Sequence, residues 1–181
     1  MTLPRARGKV FRDLLVSNVV GTPSSVVVKR EIILKGGYFD ERISRVEDYE
    51  AWIRWAEVCE FDYVEEALVN YLVHPGNISS TRSAVHYSWL FDRIQSELES
   101  QPRWVKRHAL SSQAMLLATM YLQQREWREA QCAYLAALKA NPFDFKNYVR
   151  LVGSLFPITG EAYLALAATK DSLNARLFKH S

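Results

Sequence analysis

Between positions 47 and 66 the chain carries Glu47, Asp48, Glu50, Glu57, Glu60, Asp62, Glu65 and Glu66 against a single cation, Arg54. A carboxylate in the first turn of a helix is stabilised as the anion by the unpaired N–H groups there. Eight acids to one base make this stretch a candidate site, with Glu47 and Asp48 in that first turn. The plainer alternative is a solvated acidic face in which Glu50 and Arg54 form an i,i+4 ion pair. Other chemistries find little footing. Cys59 and Cys132 are far apart and have no His or Cys nearby, which argues against a disulfide framework or a zinc knuckle and fits a reducing compartment. There is no Gly-rich phosphate loop and no Ser/His/Asp set that spacing alone would support.

The elements that must position these residues follow from pattern. Residues 24–29 (SSVVVK) are rich in β-branched side chains and bounded by Gly21 and Pro23, which predicts a buried strand. A short helix from Arg30 should stop at Gly36-Gly37, a pair suited to a C-cap and a tight backbone approach. A turn with Phe39 and Asp40 follows. The apolar positions Val46, Tyr49, Ile53 and Ala56 recur at helical steps and predict an amphipathic helix over 46–58. Residues 61–64 and 67–73 alternate loosely and end at His74-Pro75-Gly76-Asn77, which predicts a strand or hairpin running into a loop.

From Ala84 onward the pattern is helical, with breaks near Pro102, Pro142 and Pro157-Ile158-Thr159-Gly160. Ala114, Leu117, Ala118, Tyr121, Ala130, Tyr134, Ala137 and Pro142 fall at the spacings of one tetratricopeptide-like helix pair, at about 111–142. A single copy cannot form a solenoid, so the pair serves either as a packing module or as a peptide-binding groove.

With 181 residues, 49% hydrophobic, 12% aromatic and 24% charged, the chain fits one domain or one and a half, which excludes a large multidomain enzyme, a disordered tail and a collagen-like repeat. Residues 1–100 hold 12 basic and 15 acidic side chains, and residues 101–181 hold 11 and 5. The basic residues of the second part are dispersed, without the aromatic interleaving of a nucleic-acid surface, so no nucleic-acid partner is expected. The basic N-terminus is not followed by a signal-peptide core. The best apolar run, 162–168, is far short of the about 18 residues that a membrane span needs.

Four pieces of sequence, in order and at normal spacing, carry a resemblance. They are Asn18-x-x-Gly21-Thr22-Pro23-Ser24-Ser25-Val26-Val27-Val28-Lys29-Arg30, then Gly36-Gly37-Tyr38-Phe39-Asp40-Glu41, then Glu47-Asp48-Tyr49-Glu50-Ala51-Trp52-Ile53-Arg54, and last Tyr71-Leu72-Val73-His74 with Asn77-Ile78-Ser79. Residues 18–79 thereby resemble the C-terminal half of family 2 glycosyltransferases, bacterial sugar transferases with a GT-A fold. Tyr38 stands between the glycine pair and Phe-Asp-Glu, and Leu72 stands where the family usually has Arg.

The resemblance implies an α+β fold class: residues 1–82 as the acceptor-side half of a GT-A transferase domain, with few strands and amphipathic helices, followed by an all-α tail over 83–181. It implies transfer of a sugar from a nucleotide-sugar donor to a hydroxyl of a glycan or lipid-linked acceptor, with inversion. Asp48 would be the general base, taking the proton from the attacking hydroxyl, and Glu47 its neighbour; Gly36 and Gly37 would let backbone approach the acceptor, and Trp52 and Arg54 would stand on the substrate side, although core packing is the first expectation for Trp52. His74 would lie beside a divalent metal, Mn²⁺ or Mg²⁺. No Asp-x-Asp occurs in the 181 residues, so the expectation is an N-terminally truncated fragment that lacks the nucleotide-binding half and does not bind the metal alone. The implied setting is surface-polysaccharide synthesis, in the cytoplasm or at the inner face of a bacterial membrane. The alternative is a noncatalytic remnant whose helical tail binds a protein partner.

Overall fold

The structure, a computed structural model, describes residues 6–66, 68–70, 72 and 84–154. The regular elements among them are helical: α1 (Phe11–Val16), a 3₁₀ turn (Pro23–Ser25), α2 (Arg30–Gly36), α3 (Glu47–Ala56), α4 (Ala84–Leu98), α5 (Arg103–Gln123), α6 (Trp127–Ala140) and α7 (Phe145–Ser154). The chain divides into two compact units, Leu3–Ala109 and Leu110–Ser181, the latter grouped with Met1–Thr2.

In the first unit α3 is the hub. The periodicity of Val46, Tyr49, Ile53 and Ala56 marks one buried stripe, yet Asp48, Glu50, Ala51, Trp52 and Trp55 are buried as well. A helix covered on so many sides must satisfy its polar groups internally. It does so through side-chain donors aimed at neighbouring backbone, described below. Leu14 and Leu15 of α1 lie in the same buried set.

In the second unit the C-terminal part of α5 and all of α6 form a helix pair. Ala118, Leu122, Ala130 and Tyr134 make a buried cluster, with Met115, Trp127 and Leu151 packed against it. Alanines at 118 and 130 let the helices approach closely enough for the Tyr134 ring to fill the space between them. Helix α7 packs on this pair through Leu151 and Asn147. The Asn147 Nδ2 donates to Ser111 Oγ at 3.1 Å.

The α+β expectation is overturned. The described residues are mostly helical and contain no sheet, which conflicts with half of a GT-A domain. Residues 24–29, predicted as a buried strand, start as the 3₁₀ turn and continue extended, with φ −114° and ψ 133° at Val26. Val27 is fully exposed, and among the described residues neither Val27 nor Val28 makes a backbone hydrogen bond. The β-branched run therefore has the local conformation of a strand without a neighbour to make it one, because pairing is a non-local property that propensity does not supply. Of the strand or hairpin expected over 61–73, the described residues retain one isolated antiparallel bridge, Gly8 with Phe61, whose amides and carbonyls exchange hydrogen bonds of 2.7 and 2.9 Å. No helix of the described residues is long and apolar enough to cross a membrane.

Candidate functional site

Helix α3 presents a column of hydrogen-bond donors. The Tyr49 hydroxyl donates to the Leu14 carbonyl at 2.6 Å, satisfying one of the carbonyls that the end of α1 leaves open. Trp52 Nε1 donates to the Gly21 carbonyl at 3.0 Å. Arg54 donates through Nη1 to the Gly36 carbonyl and through Nη2 to the Tyr38 carbonyl, the latter at 2.7 Å. Trp55 Nε1 donates to the Gly37 carbonyl at 2.9 Å. Three of the four sequence pieces that carry the resemblance are thus tied to one helix.

The glycine pair is explained by this clamp. A Cβ on Gly36 would stand 2.5 Å from Trp55 Cδ1, and Gly37 has φ +84° with Arg54 Nη1 only 2.8 Å from a built Cβ. Both positions bring backbone up against α3, and the side chains that approach them are Arg54 and Trp55. Phe39 completes the contact: its ring lies 6.2 Å from Trp52 and 5.7 Å from Trp55, and the two indoles are 5.1 Å apart. Trp52 is 1% exposed, so its faces are taken by the core.

Arg54 is fixed from the other side by Glu50. The Nε group donates to both carboxylate oxygens, at 2.7 and 2.9 Å, and Arg93 of α4 stands 3.9 Å from Glu50 Oε1. Next to this assembly Asp40 accepts hydrogen bonds from the Arg42 backbone amide at 3.0 Å and from the Arg42 guanidinium at 2.9 and 2.7 Å. The Arg42 bonds hold the Asp40 carboxyl at about 2, with smaller help from the Arg54 charge.

At the start of α3 the N-cap residue Val46 offers no side-chain cap. Asp48 is buried and its Oδ1 accepts the Tyr49 N–H at 2.7 Å, serving one of the amides a helix start leaves open. Glu47 is half-buried, and its Oε2 is buried without a hydrogen-bond partner among the described residues. A carboxylate oxygen accepts but does not donate when ionised, so this one is an acceptor left unsatisfied by the described residues. Burial pushes the Tyr49 phenol well above its ordinary value, with the nearby Tyr87 adding to the shift. Burial also raises the Cys59 thiol, which disfavours the nucleophilic thiolate.

The structure therefore brings Arg54, Gly36 and Gly37 together at the C-terminal half of α3, with Trp52 on the adjoining Trp55 and Phe39 rings, and leaves Glu47 and Asp48 at the opposite end of the helix, while His74 lies outside the described residues. Among the described residues no three His, Cys, Asp or Glu side chains are placed to hold a metal ion. They do not by themselves form the divalent-metal site that the resemblance implies, and no step below runs through a metal. Sequence reasoning missed the donor column, whose signal was the cluster of Tyr49, Trp52, Arg54 and Trp55 in a helix too apolar to be solvated. No protein-family model, curated protein or solved structure matches the chain.

Proposed function

We propose that residues 18–79 act on the acceptor side of an inverting nucleotide-sugar transferase of the family 2 type, working at the inner face of a bacterial membrane on a glycan or lipid-linked acceptor. The observation that carries this reading is the buried, donor-less Oε2 of Glu47 beside the buried Asp48. An acceptor hydroxyl supplies the donor that Glu47 lacks. Asp48 removes the proton of the attacking hydroxyl while that oxygen bonds to the anomeric carbon and the carbon–diphosphate bond breaks, the nucleotide leaving with the electron pair. The clamp of Arg54 and Trp55 on the Gly36-Gly37 turn supports this reading by holding the flanking backbone rigid, as a positioned base requires.

A second reading, a noncatalytic helical module, draws on the same clamp. Tyr49, Trp52, Arg54 and Trp55 all direct their donors at backbone, as a purely structural helix would. The two separate by saturation-transfer NMR of the full chain against a panel of simple glycosides. The transferase reading expects binding that weakens at least fivefold in Glu47→Gln and is unchanged in the remote Glu97→Gln. A folded chain that binds no glycoside, or binds equally well in both variants, rejects it.

A further inference from the structure

The connection between the 3₁₀ turn and α2 has the shape of a peptide ready to be bound. Val26 has φ −114° and ψ 133°, and Lys29 has φ −69° and ψ 136°. Between them, Val27 and Val28 make no backbone hydrogen bond among the described residues, and Val27, Lys29 and Arg30 are exposed. An extended segment with open N–H and C=O groups offers them to the main chain of a second protein, which pairs with it as an added strand. Endopeptidases take their substrates in this form, and exposed connections are where folded chains are nicked.

The side chains select the kind of endopeptidase. Arg30 already belongs to α2, so the extended run ends at Lys29 and presents the Lys29–Arg30 bond to an enzyme whose specificity pocket holds a carboxylate. The other described basic residues outside the helices are placed differently. Gly8, between Arg7 and Lys9, is paired with Phe61. Asp40 holds both the amide and the guanidinium of Arg42. Arg45 and Arg125 have φ 69° and 61°, the left-handed region rather than extended backbone. The hydrogen bond that opposes attack at Lys29 runs from the Ile32 N–H to the Lys29 carbonyl, at 2.9 Å. It belongs to the first turn of a seven-residue helix with no buried residue, so opening it costs little.

We propose that the Lys29–Arg30 peptide bond is a processing site for an endopeptidase that cuts after basic residues. Water supplies the hydroxyl to the Lys29 carbonyl carbon and a proton to the Arg30 nitrogen as the C–N bond breaks. The cut leaves the unit assembled, because α3 holds both sides of it. Tyr49 and Trp52 donate to the Leu14 and Gly21 carbonyls before the cut, and Arg54 and Trp55 donate to the Gly36 and Gly37 carbonyls after it.

The test is native digestion of the full chain with trace trypsin, the new termini being identified by mass spectrometry. Cutting after Lys29 should be at least about tenfold faster than after Arg42, Arg45 or Arg125. Arg30→Pro should abolish it while leaving the fold intact, which circular dichroism checks. Proline is accepted at the first position of a helix, and the extended backbone at Lys29 is what a residue before proline adopts. Residues 1–29 should co-elute with the remainder on gel filtration and separate only in denaturant. Cutting after Lys29 no faster than after those three arginines overturns the proposal, and so does a bond that is cut only once the chain is unfolded by heat. Loss of residues 1–29 from the native nicked chain would overturn the claim that α3 holds both sides.

Discussion

Arg54 is held by Glu50, four residues earlier on the same helix, so that its two terminal nitrogens reach the carbonyls of Gly36 and Tyr38. The pair therefore does more than neutralise charge: Glu50 aims Arg54, and Arg54 fixes the end of α2. Because the Glu50 carboxylate is 3% exposed, it depends on this partner in a way that a surface pair would not.

Replacing Arg54 by Ala should destabilise the first unit by about 3 kcal/mol, the usual cost of stranding a buried charge. The distant Arg93 is a poor substitute. Glu50→Gln/Arg54→Ala should cost clearly less than the sum of the two single changes, since the double variant leaves no stranded carboxylate. Urea unfolding followed by tryptophan fluorescence measures all three, and strict additivity would contradict the coupling.

Gly36→Ala and Gly37→Ala should each cost about 1–3 kcal/mol, by different mechanisms. At Gly36 the new methyl runs into a Trp55 indole that its hydrogen bond to Gly37 keeps from swinging away. At Gly37 the positive φ is itself unfavourable for a side chain, and Arg54 adds a second obstacle. Gly21→Ala tells the two apart: it also has positive φ, but nothing stands within 4 Å of its built Cβ, so its cost should be conformational only.

Asp40 binds its proton less tightly in the folded chain, at about 2, than the ordinary value of 3.8. The contribution of the Asp40–Arg42 turn is therefore complete above pH 4 and is lost as pH falls through 2. Carboxyl-carbon NMR should find Asp40 ionised at pH 3, and Arg42→Ala should return its midpoint toward 3.8. An unchanged midpoint in that variant would remove Arg42 as the cause.

Asn147 is completely buried; its Nδ2 donates to Ser111 and its Oδ1 has no hydrogen-bond partner among the described residues. Ser111→Ala should cost about 1–3 kcal/mol by stranding the amide as well. Ser111→Ala/Asn147→Leu removes both polar groups and should recover most of that loss. Thermal melts of the two variants decide the matter, and a double variant less stable than the single would refute the account.

Much of the local structure was legible in the sequence. The stop of α2 at Gly36, the run of α3 and the helical texture after Ala84 follow from glycine placement and from apolar spacing. The Glu50–Arg54 pair could also be read from its i,i+4 spacing, but its burial could not, and burial is what changes its importance from slight to large. The strand over 24–29 failed for a related reason: Val26, Val27 and Val28 favour extended backbone, and pairing depends on residues far away. For the candidate site, the closeness of Glu47 and Asp48 follows from adjacency. The open Oε2 and the donor column depend on which neighbours fold over α3, which no local pattern records.

The extended segment at 26–29 also bears on how the protein behaves in a tube. Amides and carbonyls at Val27 and Val28 without backbone partners among the described residues, under a bare valine side chain at 27, are a template on which another molecule's strand can lengthen into an aggregate. Lys29 and Arg30 stand directly beside them as electrostatic gatekeepers. Storage life should therefore shorten, rather than lengthen, as salt is raised and that repulsion is screened.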